Sequence, residues 1–185
     1  RRPQTLLAAG QSEYGYWFGR GAIEVSGAPV DAEGNPIYYK LPADFDSAVN
    51  DGERWRWSLH KTVEVNPELS SWAKFEFARF LNSQFGTQTF AGFPLEFNED
   101  SKDGSKAPGV FALHTLSDDE TIARLATGVK RFTLPDEFNF IRIFQEFSRD
   151  DDVYQDAVDQ LATIYENRRR FSRAAEFWQK GIKEF

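Results

Sequence analysis

The chain has 185 residues, 41% hydrophobic and 28% charged, which suits one compact domain or a run of small repeats rather than two large domains. Its net charge of -7, from 22 basic and 29 acidic residues, argues against a general nucleic-acid binder, which needs a basic face toward phosphate. No apolar run approaches the ~18 residues of a membrane helix, and the lack of Cys removes disulfides, a thiolate nucleophile and Cys-ligated metal.

Aromatic residues are in excess, with 18 Phe, 6 Tyr and 5 Trp. The chain contains no Met and opens on Arg1-Arg2, so it is read as a piece of a larger protein. Residues 1–40 form an irregular arm dense in Gly. In it Ala22-Ile23-Glu24-Val25 and Ile37-Tyr38-Tyr39 are short extended segments around the turn-rich Asp31-Ala32-Glu33-Gly34-Asn35-Pro36, which suggests a short, loose hairpin.

From about Leu41 the pattern becomes helical and defines a second region, 41–185. Asp51 can cap a helix to about Val65, with Trp55, Leu59 and Val63 on one stripe. Pro67 opens a second helix that runs to about Phe85 and stops at Gly86. Its apolar set (Leu69, Trp72, Phe75, Phe77, Ala78, Phe80, Leu81) is too wide for one solvent-backed face and predicts packing on two sides. Residues 86–116 are a break, and the polar run Asn98–Lys106 predicts a mobile loop over about 96–108.

Ser117-Asp118-Asp119-Glu120 has the capping-box spacing and predicts a helix to about Arg131, with Ile122, Leu125, Ala126 and Val129 on its stripe. Leu134-Pro135 opens another to about Phe147, carrying Phe138, Ile141, Phe144 and Phe147. Two more helices are expected over about 152–168 and 172–185. The predicted fold is all-α, built of antiparallel helical hairpins.

Residues 155–185 resemble a tetratricopeptide repeat (TPR), a helix–turn–helix unit of about 34 residues that stacks into solenoids. With Tyr165 at the eleventh position, Val158, Leu161 and Ala162 fall at the fourth, seventh and eighth. Ala174, Trp178 and Gly181 fall at the twentieth, twenty-fourth and twenty-seventh, with Phe171 as the turn aromatic. Small residues admit a neighbouring backbone, while Tyr165, Phe171 and Trp178 fill the gaps between helices. Val158 departs from the usual Trp and Ala162 from the usual Gly. The pairs 52–85 and 118–147 are hairpin-like without fitting the repeat. A stack of hairpins buries its core only against neighbours, so further chain is expected beyond Phe185.

A second set of strings is similar to the helical region preceding the macroglobulin domains of large bacterial alpha-2-macroglobulin-like proteins. They are Asp51-Gly52-Glu53-Arg54-Trp55-Arg56-Trp57, Ser83-Gln84-Phe85-Gly86, Phe111-Ala112-Leu113-His114-Thr115-Leu116, Glu120-Thr121-Ile122-Ala123-Arg124-Leu125 and Leu134-Pro135-Asp136-Glu137-Phe138-Asn139. That resemblance implies an exported or envelope-associated parent in which this region docks or spaces domains; without it, a cytoplasmic protein is expected. The family's bait region and thioester motif are absent, so protease trapping would not reside here.

Motifs with catalytic potential are sparse. His60 and His114 lack an H-x-x-x-H partner for zinc. Ser71-Trp72-Ala73-Lys74 spells S-x-x-K without its companion motifs. Gly19-Arg20-Gly21 lacks the third Gly of a dinucleotide loop, and the loop with Asp100, Asp103 and Gly104 has Val110 where a calcium loop needs Glu. Trp17, Trp55, Trp57 and Trp72 would offer stacking faces to a glycan, and the carboxylates Asp51 and Glu53 would suit glycosidic acid–base chemistry. These remain alternatives to a non-catalytic scaffold with no cofactor and no metal.

The tail is locally basic: residues 168–185 hold six basic and two acidic side chains, a net +4. Arg168, Arg169, Arg170 and Arg173 are therefore the candidate contacts for an acidic protein partner or an adjacent domain of the same chain. On this reading, an Arg169→Glu, Arg170→Glu double variant weakens partner binding in a pull-down and leaves the thermal midpoint nearly unchanged. Unaltered binding would sink the assignment.

Overall fold

The computed structural model describes residues 31–87, 113–125 and 128–184. The extended segment at Ala22–Val25, the Gly19-Arg20-Gly21 string, Trp17 and the polar loop with Asp100, Asp103, Gly104 and Val110 lie outside the described residues. Among the described residues are five α-helices and one two-stranded ribbon. The protein is thus mostly helical, and no described helix is long and apolar enough to cross a membrane.

The turn predicted at Asp31–Asn35 forms. Asp31 Oδ1 accepts from the backbone N–H groups of Glu33 (3.0 Å) and Asn35 (2.7 Å), and Gly34 sits at φ 79°, a conformation that favours glycine.

Helix α1 spans Asp51–Val65. Its cap is Asn50 rather than the expected Asp51: Asn50 Oδ1 accepts from the Glu53 N–H (2.9 Å), and Glu53 Oε2 reaches back to the Val49 N–H (3.0 Å). Asn66 ends α1 and its side chain accepts from the Glu68 N–H (3.2 Å), so one residue closes a helix and opens the next turn. Pro67–Leu69 is a 3₁₀ turn leading into α2, Ser70–Phe85.

Helix α2 is packed on two sides. One face gives Phe75, Ala78, Leu81 and Phe85 to the main core, and the other sets Ala73 against Trp55 and Leu59 of α1. Arg56 of α1 donates to the Tyr39 carbonyl (2.7 Å), pairs with Glu137 and lies over the rings of Phe77 and Phe138.

The segment 117–133 corrects the helical expectation. Strands β1 (Glu120–Leu125) and β2 (Gly128–Thr133) form an antiparallel ribbon with Thr121 opposite Phe132 and Ile122 opposite Arg131. The capping box is half made: Glu120 Oε2 accepts from the Ser117 N–H (2.9 Å), but Ser117 Oγ donates to Asp119 (2.5 Å) and Glu120 (3.0 Å) side chains. A turn results, with the Glu120 N–H on the Ser117 carbonyl (3.2 Å), and no helix follows. Two forces favour the ribbon. Thr121, Ile122, Val129, Phe132 and Thr133 are β-branched or aromatic, and Thr121 Oγ1 donates to the Phe85 carbonyl at the end of α2. Thr121 and Phe132, on one face of the ribbon, are both buried.

The helix expected from Leu134 to Phe147 is broken as well. Residues Asp136–Phe138 form a 3₁₀ turn, Asn139 turns extended (φ -82°, ψ 92°), and α3 covers only Phe140–Gln145. Asn139 Oδ1 caps it by accepting from the Arg142 N–H (3.1 Å). The predicted stripe Phe138, Ile141, Phe144 and Phe147 is nevertheless buried, alongside Phe140. Helices α4 (Tyr154–Asn167) and α5 (Phe171–Glu184) follow.

The central position of Phe144, which packs edge-on against Phe75 at 5.6 Å, gives a direct check. Phe144→Ala should cost about 3–5 kcal/mol in urea unfolding, whereas Val49→Ala at an exposed site should stay within about 0.5 kcal/mol. Equal costs would contradict the core assignment.

Candidate functional site

Helices α4 and α5 are antiparallel. Tyr154 at the start of α4 donates to Glu184 at the end of α5 (3.0 Å), while Tyr165 stacks on Phe177 with centroids 5.5 Å apart. The turn between them is tight because α4 closes in a Schellman arrangement: the Arg169 N–H reaches the Glu166 carbonyl (2.8 Å) and the Arg170 N–H the Tyr165 carbonyl (2.9 Å). Arg169 takes the left-handed position at φ 56°, where glycine is usual. That geometry decides where the three consecutive arginines go.

Arg168 turns inward and is fully buried, with 0% exposure. Its Nη1 donates to the Ser117 carbonyl (2.7 Å) and its Nη2 to the Glu120 carbonyl (2.8 Å), and the guanidinium lies over the Phe140 ring. Burial pulls its pKa down to about 10, which leaves it charged at neutral pH. Arg168 is therefore an internal tie and not a partner contact, which corrects the sequence assignment. Charge alone placed it on the surface, whereas the turn geometry and the two carbonyls facing it place it inside.

Arg170 Nη1 pairs with Asp118 Oδ1 (2.6 Å) and its guanidinium covers the Tyr165 ring at 5.0 Å. Tyr165 donates its hydroxyl to Asp118 Oδ2 (2.7 Å) and accepts from Gln145 Nε2 (3.1 Å). Burial first, and the hydrogen bond to Asp118 second, push the phenol up to about 12, so it remains a donor at neutral pH. Arg173 pairs with Glu176 (2.6 Å) and lies over Tyr165 and Phe177. Much of the basic tail is thus committed to contacts within the chain. Reversing Arg170 would set a carboxylate against Asp118, so the double reversal is expected to lower stability and not only binding.

Of the residues matched to the repeat, Leu161, Ala162, Tyr165 and Ala174 are buried. Gly181 lies against α4, where an added Cβ would stand 3.7 Å from Asp159 Oδ1. Phe171 and Trp178, expected to fill gaps between the helices, stand instead 64% and 41% exposed, and Ile182 is 83% exposed. With Ala175 they follow the spacing i, i+4, i+7, i+11 and form one outward stripe along α5.

The remaining motifs are drawn into structural roles. Ser71 donates to Asp151, and Lys74 pairs with Glu146 (2.7 Å), so the S-x-x-K residues face different carboxylates. Asp51 pairs with Arg54 (2.6 Å), and Glu53 serves the start of α1. His60 Nδ1 lies 3.4 Å from Glu64, and His114 is exposed in a 3₁₀ turn. Trp55 is buried in the α1–α2 contact, Trp72 packs beside it, and Trp57 is half-buried edge-on to Phe45. Among the described residues no group of three His, Asp or Glu side chains is placed to hold a metal.

The fold and this outward stripe define a mostly helical protein with an exposed apolar helix face. In comparisons with known proteins, no family model, no curated protein and no solved structure matches the chain.

The Arg168 tie is testable by stability. Arg168→Met removes both charge-assisted hydrogen bonds and should cost about 2–4 kcal/mol in urea unfolding. Arg168→Lys, which keeps the charge without the two-pronged geometry, should recover only part of the loss. A cost below about 1 kcal/mol for Arg168→Met would show that the fork is dispensable.

Proposed function

We propose that this chain is a non-catalytic helical scaffold, a protein-interaction region working within a larger, TPR-like or alpha-2-macroglobulin-like protein. The observation that carries the reading is that α5 has two apolar faces. One, through Ala174, Phe177 and Gly181, meets α4, and the other, through Phe171, Ala175, Trp178 and Ile182, meets solvent. A helix needs only one apolar face to pack into its own domain. A contiguous second face with an exposed Trp and Phe is the mark of an interaction surface. The contact would be made by a protein partner or an adjacent domain of the same chain. Arg170 and Arg173 are held in ion pairs within the chain, so this stripe, rather than the arginine cluster, is the contact surface.

A photo-crosslinking amino acid placed at Trp178 in the parent protein should give one discrete protein adduct, while the same group at exposed Val65 should give none. A Trp178→Ser, Ile182→Ser variant should leave the unfolding free energy within about 1 kcal/mol, the sum expected of two surface changes. No adduct at position 178, or equal labelling at both positions, would overturn the reading.

A further inference from the structure

Resting on that reading of the α5 stripe, we infer the class of its occupant: an amphipathic helix of a partner chain whose apolar face is bordered by Lys or Arg. Charge along the edge of the stripe selects this class.

The two flanks of the α4–α5 contact are different. On one, Tyr154 and Tyr165 of α4 meet Lys180, Glu184, Arg173 and Phe177 of α5, and Tyr165 reaches Asp118 of the 117–120 turn. The other flank is fixed by Asp159, whose carboxylate borders Gly181, the residue before Ile182. On α4 the helical spacing places Asp156, Asp159, Thr163 and Glu166 in one row, at i, i+3, i+7 and i+10. All four are exposed or half-exposed. The row therefore runs beside the stripe of Phe171, Ala175, Trp178 and Ile182, on the side of the hairpin away from the core.

Three carboxylates in this row have no ion-pair partner among the described residues, in contrast with the cations across the hairpin. There Arg170 holds Asp118 and Arg173 holds Glu176. On the far edge of the stripe stand Ser172, Glu176, Gln179 and Lys183, with Glu176 already engaged by Arg173. The surface is an apolar strip with an acidic shoulder. An incoming helix would gain by burying its own apolar face on Trp178 and Ile182, and by setting cations opposite Asp156, Asp159 and Glu166. An acidic helix would meet like charge there. Rim charges of this kind govern partner choice and association rate more than the total affinity.

The experiment uses two fluorescein-labelled synthetic helices of about 15 residues, four turns in length. They share one Leu/Ala apolar face and differ in carrying either Lys or Glu on both borders. Binding to the full chain is followed by anisotropy. The Lys helix should bind at least ~10-fold more tightly at low salt, and the gap should shrink toward 1 M salt, where screening acts within about 3 Å.

Trp178→Ser with Ile182→Ser should abolish binding of both helices. Asp159→Lys with Glu166→Lys, or Glu166→Lys alone should the pair disturb folding, should remove the preference. The remote reversal Asp46→Lys with Glu68→Lys, at two other exposed carboxylates, should not.

Equal binding of both helices through the stripe would overturn the basic-partner inference and leave the docking reading standing. An equal effect of the remote reversal would reduce the preference to overall charge and overturn it too. So would concentration-dependent self-association of the chain, lost in the Trp178→Ser, Ile182→Ser variant, since the occupant would then be a second copy. Failure of both helices to bind also overturns the inference, while the docking reading falls only with loss of the crosslink at position 178.

Discussion

A single buried guanidinium joins the ribbon to the C-terminal helices. Arg168 is taken wholly out of water and offered, in return, two backbone carbonyls on either side of the Asp118-Asp119 pair and the face of Phe140. Removing a cation from water is costly unless it is hydrogen-bonded. The contact is therefore favourable only when the 117–120 turn, the start of β1 and the end of α4 are all in place. Tyr165 and Arg170 act on the same turn through Asp118, so three residues from the end of the α4–α5 hairpin hold one short segment. The helical pair and the ribbon are thereby made to order each other.

This arrangement changes the meaning of the basic tail. A net +4 over residues 168–185 looks like a docking patch for an acidic partner. In the folded chain that charge is largely spent inside the molecule: on carbonyls by Arg168, on Asp118 by Arg170 and on Glu176 by Arg173. Among the described residues, the surface left without a counterpart lies on the opposite flank, where an apolar stripe of α5 runs beside a row of α4 carboxylates. Function is read more securely from what a folded chain leaves unsatisfied than from what its sequence has in excess.

The ribbon shows how a local signal can be formed and still be overruled. The Glu120 carboxylate does reach back to the Ser117 N–H, as the S-x-x-E spacing predicts, yet the Ser117 hydroxyl turns to Asp119 and Glu120. The spacing of Ile122, Leu125, Ala126 and Val129 fits a helix, but the β-branched residues around them fit a strand equally well. The choice falls to contacts distant in sequence: Thr121 with the end of α2, the Ser117 and Glu120 carbonyls with Arg168, and Phe132 with the main core.

The sequence by itself determined the helices whose boundaries are chemical. The stripe of Trp55, Leu59 and Val63, Pro67 before α2 and Gly86 at its end place α1 and α2, although the cap of α1 is Asn50 and not Asp51. The small residues Ala162, Ala174 and Gly181 announce close approach of α4 and α5. Caps, prolines and apolar periodicity act within a turn or two of the chain, so they hold where no distant contact competes and yield where one does, as at Ser117–Glu120. Only the tertiary structure decided which arginine is buried, whether residues 120–125 and 128–133 coil or extend, and which aromatic residues of α5 face outward. Each of those outcomes depends on groups many residues away: two carbonyls for Arg168, the Phe85 carbonyl for Thr121, and the single flank of α5 that α4 can cover. A residue's type states what it can satisfy, and the fold decides what it meets.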